Sequence, residues 1–248
     1  TTGLTVSNTG SDAYNVVINS TTFDAAGDTN FLNEGTLTLG NGGDVLTFAG
    51  GLSTDGNGGA DLPSTVTLSG TINTTNTQMD LGAVTLAGTT VLDTGNHASG
   101  ILNVGAVTSG TNALTLDSGS TAGATIGLGS FVDGSGGLTI RDAGGLVTLG
   151  DIGSSGAGAV TITDSTSGVT FSANVDATTL TITDTEDAAA VTFANGQDVD
   201  LTTGLTVSNT GSDAYNVVIN STTFDAAGDT NFLNEGTLTL GNGGDVLT

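Results

Sequence analysis

The chain has 248 residues and carries 25 acidic side chains against one basic one, Arg141, for a formal net charge of −24. Such a field repels nucleic acid and anionic membranes, because phosphate binding needs Lys and Arg to displace counterions, and both partner classes are set aside for this span. Cysteine is absent, which removes disulfide, zinc–thiolate and iron–sulfur sites, and no apolar run approaches the ~20 residues of a membrane-spanning helix.

Taken in chain order, one three-residue phrase recurs: an aliphatic residue, Thr, then an aliphatic residue or Phe. It appears as LTV at 4, LTL at 37, LTF at 46, VTL at 66 and 84, LTL at 114, and LTI at 138. It continues as VTL at 147, VTI at 160, VTF at 169, LTI at 180 and VTF at 191. Apolar–Thr–apolar has period two and is rich in β-branched residues, so each phrase predicts a strand. Gly, Asn, Asp and Ser follow nearly every instance and predict turns. No stretch holds a helical period. Aromatics make up 4% and Trp is absent, so the core is expected to be narrow.

Residues 160–201 divide into VTITDSTSG, VTFSANVDATT, LTITDTEDAAA and VTFANGQDVDL, the first resembling the third and the second the fourth. The spacing predicts an all-β parallel β-solenoid (β-helix) with coils of about 20 residues, each made of two strand-and-turn segments. Stacked, Val160 lies over Leu180, Ile162 over Ile182, Val169 over Val191 and Phe171 over Phe193. The same register sets the turn carboxylate of Asp164 over that of Asp184. Each coil is too small to bury its own apolar face, and stacking aligns like residues into a continuous interior. The stretch FDAAGDTNFLNEG at 23–35 fits this pattern poorly and reads as a protruding loop. The rival architecture is a string of antiparallel sandwich domains.

No residue stands out as catalytic, and no cofactor site is expected. His97 is the only histidine and has no second His or Cys to work with, which makes it a solvated turn residue. Arg141 reads as an outward residue at a strand end. The stretch LGNGGDVLTF at 39–48 partly matches a calcium-binding glycine- and aspartate-rich nonapeptide, but Gly42, Gly43 and Asp44 lack its spacing. Asp184, Glu186, Asp187, Asp198 and Asp200 are hard oxygen ligands at turns, of the kind Ca²⁺ accepts; the alternative is that they only solvate the turns. Outward Thr-x-Thr pairs (Thr36/Thr38, Thr65/Thr67, Thr161/Thr163, Thr181/Thr183) raise ice binding as a minor alternative.

Residues 1–47 and 202–248 are identical at every position. The organisation expected is one full long repeat, 1–201, followed without a linker by the start of the next, 202–248. With its LTL, VTI and VTF phrases set in Gly, Thr, Asn and Asp, its lack of Cys and its long identical repeat, the chain resembles β-strand-repeat bacterial surface proteins. It is similar in this to filamentous-haemagglutinin-type adhesins and autotransporter passengers. The resemblance implies a non-enzymatic extracellular rod or filament at the bacterial cell surface. Its partners would be further copies end to end, with lateral self-association beside them. An adhesin stalk gripping host or neighbouring-cell glycans or proteins is the alternative.

Overall fold

The computed structural model describes residues 3–7, 13–55, 62–132, 134–208, 210–211 and 213–248. Strands are the only regular elements among them, and every pairing between strands is parallel. Parallel neighbours cannot be joined by a tight hairpin, so the chain must travel around before it returns to the next rung. Here it does so as a β-solenoid of about ten turns, with about 23 residues per coil.

Each coil has three faces, visited in a fixed order. On the first face Thr29, Leu52, Met79, Leu102, Ile126, Val147, Val169, Val191, Val217 and Leu238 stack in register. On the second the ladder is Val16, Leu37, Val66, Val84, Val107, Phe131, Ile152, Val175, Val199, Phe224 and Leu247. On the third it is Phe23, Leu46, Ile72, Leu92, Leu116, Ile140, Ile162, Ile182, Val207 and Phe232. Between the end coils these residues are almost completely buried, and together they form one continuous core. No single coil has an inside of its own; stacking creates it.

The registers expected for residues 160–201 are all present: Val160 on Leu180, Ile162 on Ile182, Val169 on Val191, Phe171 on Phe193. The phenyl rings of Phe171 and Phe193 lie 4.8 Å apart and nearly parallel, 6° between planes. Each coil also holds a third strand beside the two segments legible in the sequence. Val175–Ile182 opens with VDA and Asp198–Val207 with DVDL, which read as turn residues in the sequence. They alternate in–out–in like the Thr phrases, with Asp in place of Thr on the outward position, and Asp176 pairs with Asp200.

The stretch at 23–35 is also part of the coil and not a protruding loop. Thr22–Ala25 and Thr29–Leu32 are strands, and Phe31 is fully buried. Phe48 collects both rings, Phe23 at 5.4 Å and Phe31 at 6.0 Å. The corner that follows is held by Asn33, which is fully buried. Its Nδ2 donates to the carbonyl of Tyr14 one coil away (2.9 Å) and to that of Thr36 (3.1 Å). Glu34 takes a positive φ of 56°, and a Cβ on Gly35 would lie 2.2 Å from the Tyr14 carbonyl oxygen. Only glycine fits so close to a neighbouring backbone. The polar look of this stretch comes from outward Asp24 and the corner residues.

Strand Asp198–Val207 runs through the boundary at 201/202, with one extra residue between Leu201 and Gly204 where its register shifts against Ala177 and Thr179. In the last coil Leu238, Leu240 and Leu247 are 41%, 53% and 37% exposed, whereas their identical counterparts Leu37, Leu39 and Leu46 are fully buried. The difference is the coil above: Val66, Leu68 and Ile72 stack on the earlier set.

Candidate functional surface

Carboxylates collect along one edge of the rod, where the third face turns into the first. In successive coils the turn opens with Asp93–Thr94, Asp117–Ser118, Asp142–Ala143, Asp164–Ser165 and Asp184–Thr185. The two members of each pair have different tasks. The second is buried, and in three of the five it ties the corner: Thr94 Oγ1 donates to the Gly100 carbonyl (2.6 Å), Ser118 Oγ to Ala124 (2.8 Å) and Ser165 Oγ to Gly168 (2.8 Å). In the first two pairs the Asp carboxylate accepts from the backbone two residues on, Asp93 from Gly95 N–H (2.7 Å) and Asp117 from Gly119 N–H (2.9 Å). This is an Asx turn repeated at a coil corner.

Stacking then forces the carboxylates together. Asp93 pairs with Asp117, and Asp117 with Asp142 across a bulge. Burial, aided by the charge of Asp93, pushes the Asp117 carboxyl above its ordinary range despite the Gly119 N–H and Arg141. Asp142 is raised by burial and then by Asp164 and Asp117. Asp164 is raised by burial and by Asp184 and Asp213. On the second face Asp176 is raised by burial and by Asp200. Each of these groups resists ionisation first because it is partly buried and second because acids lie beside it.

Arg141 extends from strand Leu138–Ala143 and meets Asp117 at 3.1 Å, with half of its side chain exposed. A half-exposed pair of this kind contributes at most about 1 kcal/mol. His97 is exposed in the corner after Asp93, and its Nδ1 accepts from Ser99 N–H at 3.2 Å. Asp44 is buried: its Oδ2 accepts from Asn41 N–H (3.1 Å) and its carbonyl from Thr71 N–H (2.9 Å). The LGNGGDV stretch is therefore the corner between the second and third faces.

The residues singled out as calcium candidates do not gather. Asp184 accepts from Thr210 Oγ1 (3.1 Å), Asp187 from Ala214 N–H (2.7 Å) and Asp198 from Thr223 Oγ1 (2.6 Å), while Asp200 points outward on the second face. Among the described residues no three His, Asp or Glu side chains come close enough together to hold a metal ion.

Outward Thr residues also form ladders, on all three faces. Thr115, Thr139, Thr161, Thr181 and Thr206 run along the third face, Thr38, Thr67, Thr85 and Thr108 along the second, and Thr148, Thr170 and Thr192 along the first. These files are one residue wide except at two places, one of which is Thr161 with Thr163 beside Thr181 with Thr183. Thr36 with Thr38 continues into Thr65 with Thr67, and beyond that coil only the Thr67 file goes on to Thr85.

Of the acidic edge, only the step from Asp164 to Asp184 follows from the register at 160–201. The rest has a weaker signal: an apolar–x–apolar phrase followed within two residues by Asp and a small residue, as in LTLDS, LTIRDA, VTITDS and LTITDT, with VLDT at 91–94 departing from it. No protein-family model, curated protein or solved structure matches the chain.

Proposed function

We propose that this chain is a structural segment of a long, non-enzymatic extracellular rod at a bacterial cell surface. The observation that carries the reading is the return of residues 1–47 at 202–248 within one uninterrupted solenoid. Both copies have the same internal pairing: Tyr14 with Glu34 and Val16 with Leu37, then Tyr215 with Glu235 and Val217 with Leu238. A reaction centre needs one copy of its residues, whereas a rod gains length from each copy. The polar groups described above serve corners and ladders and do not converge in a cleft. Further copies of the same unit, end to end, are the partners this reading takes.

The test is electron microscopy of the native protein. Thin unbranched rods are expected, lengthening by about 42 Å for each repeat unit, from eight and two-thirds coils at ~4.8 Å each. Compact particles, or a length independent of the number of units, would overturn the reading. Surface location is tested by protease treatment of intact cells, which should remove the rods.

Calcium belongs to this reading as a counter-ion spread along the acidic ladders. Carboxylates stacked closer than the ~8 Å Debye length repel one another, and calcium sheds its water more readily than magnesium to bind them. Millimolar Ca²⁺ is expected to raise the melting temperature above that in NaCl of matched ionic strength. Coincident curves would remove calcium from the proposal.

A further inference from the structure

The two identical copies do not occupy the same faces. Val16 starts the second-face ladder, and eight coils later that ladder reaches Val199. Its counterpart Val217 lies two faces further on, stacked upon Val191 on the first face. The other strands of the copy shift in step. Phe23 belongs to the third face and Phe224 to the second, on Val199. Val6 lies on the first face, paired with Phe31, and Val207 on the third, paired with Ile182. The unit 1–201 thus spans 26 strand passes and not 27, a whole number of coils less one face.

We infer that successive copies of the unit turn to successive faces of the rod, about a third of a turn each time, so that three copies and 26 coils restore the starting orientation. The interior permits this because its three ladders are chemically alike. Apart from Thr29 and Met79 on the first face, all are aliphatic with an occasional Phe, so a strand that packs on one face packs on another. The outside changes with each copy. Asp24 precedes Thr47, Asn73, Asp93 and Asp117 on the third face, whereas Asp225 extends Asp176 and Asp200 on the second. In a chain of several units every surface feature then points three ways in turn. A lateral neighbour, a second copy of this rod included, meets the same feature around the whole circumference and not along one edge. A flat ligand that needs one Thr file on every coil, such as an ice surface, finds no face that keeps it.

For chains of several units the inference rests on the rod reading; within this chain it stands on its own and can be tested directly. The absence of Cys makes paired thiols clean reporters. Strand neighbours in a column lie within the roughly 4.4–6.8 Å Cα separation that a disulfide spans. Three double variants of the full chain are compared under mild oxidation: Asp24→Cys with Thr47→Cys as the control, Asp200→Cys with Asp225→Cys, and Thr183→Cys with Asp225→Cys. Thr183 follows Ile182 in the column that Phe23 and Asp24 begin. Near-complete linkage of 200 to 225, matching the control, with background linkage of 183 to 225 is the result expected. Linkage of 183 to 225, or a control that links while neither test pair does, overturns the rotation. Either result leaves the electron-microscopic test of the rod unaffected, so the two failures are distinguishable.

Discussion

Replacing Phe193 by Ala is expected to lower stability by about 3–5 kcal/mol, and to do so locally. Phe193 is 1% exposed, stacks on Phe171 at 4.8 Å and meets Phe224 edge-on at 5.7 Å, so it joins three consecutive coils across two faces. The loss combines the transfer of a large side chain, the cavity it leaves and two aromatic contacts. Because each coil touches only its neighbours, the damage should not spread evenly through the rod. Residues beyond 190 should melt as a separate, earlier transition, while the coils from Phe31 to Phe171 keep their own midpoint. Hydrogen exchange resolved along the chain measures this directly. The outward variant Thr192→Ala, stacked between Thr170 and Val218, should stay within about 0.5 kcal/mol of the parent. Equal effects of the two substitutions, or one unshifted transition for Phe193→Ala, would show that the ladder is not the stabilising element.

The second large effect concerns pH. Asp117, Asp142, Asp164 and Asp176 all have carboxyls raised above the ordinary value of 3.8, chiefly by burial and secondarily by neighbouring acids. A carboxyl raised in the folded state holds its proton more tightly there than in the unfolded chain. Linkage then makes stability greatest below the unfolded value, and stability is lost as pH rises through the folded value. Each group contributes with this sign, and Arg141 is the only basic side chain in the sequence to set against them. The rod is therefore expected to melt at a higher temperature just below pH 3.8 than at pH 8, at constant ionic strength. The gain should shrink as salt is added, since the ladder repulsion is partly screened. A melting temperature that falls on acidification would mean that the ladders are not the dominant titrating groups. Asp164→Asn and Asp142→Asn should each remove part of the pH dependence and raise stability at pH 8.

Much of this structure was legible in the residues. Alternation of apolar residues with Thr, the absence of any helical period and the near-repeat at 160–201 determine an all-β solenoid with parallel stacking. The same pattern sets the register of Val160 on Leu180 and Val169 on Val191, because a one-residue slip turns every apolar side chain outward. The third face was not legible. VDA at 175–177 and VDL at 199–201 carry Asp where other strands carry Thr, and Asp by itself reads as a turn former. Whether such a triplet is strand or turn depends on its being paired above and below, and only the folded stack supplies those partners.

The corner at 33–35 and most of the carboxylate edge were hidden for the same reason. Asn33 is a capping residue only once the Tyr14 carbonyl, 19 residues back in the chain, lies against it. Asp117 becomes an acid among acids only when the coils before and after it bring Asp93 and Asp142 into its column. The sequence by itself determined which residues face inward in the Thr phrases and that the opening segment, 1–47, returns at 202–248. The tertiary structure decided how many strands close a coil, and therefore that the unit 1–201 falls one face short of nine coils. Alternation along a strand is a local property of the backbone, whereas the cross-section is set by corner geometry and by the packing of three ladders against one another.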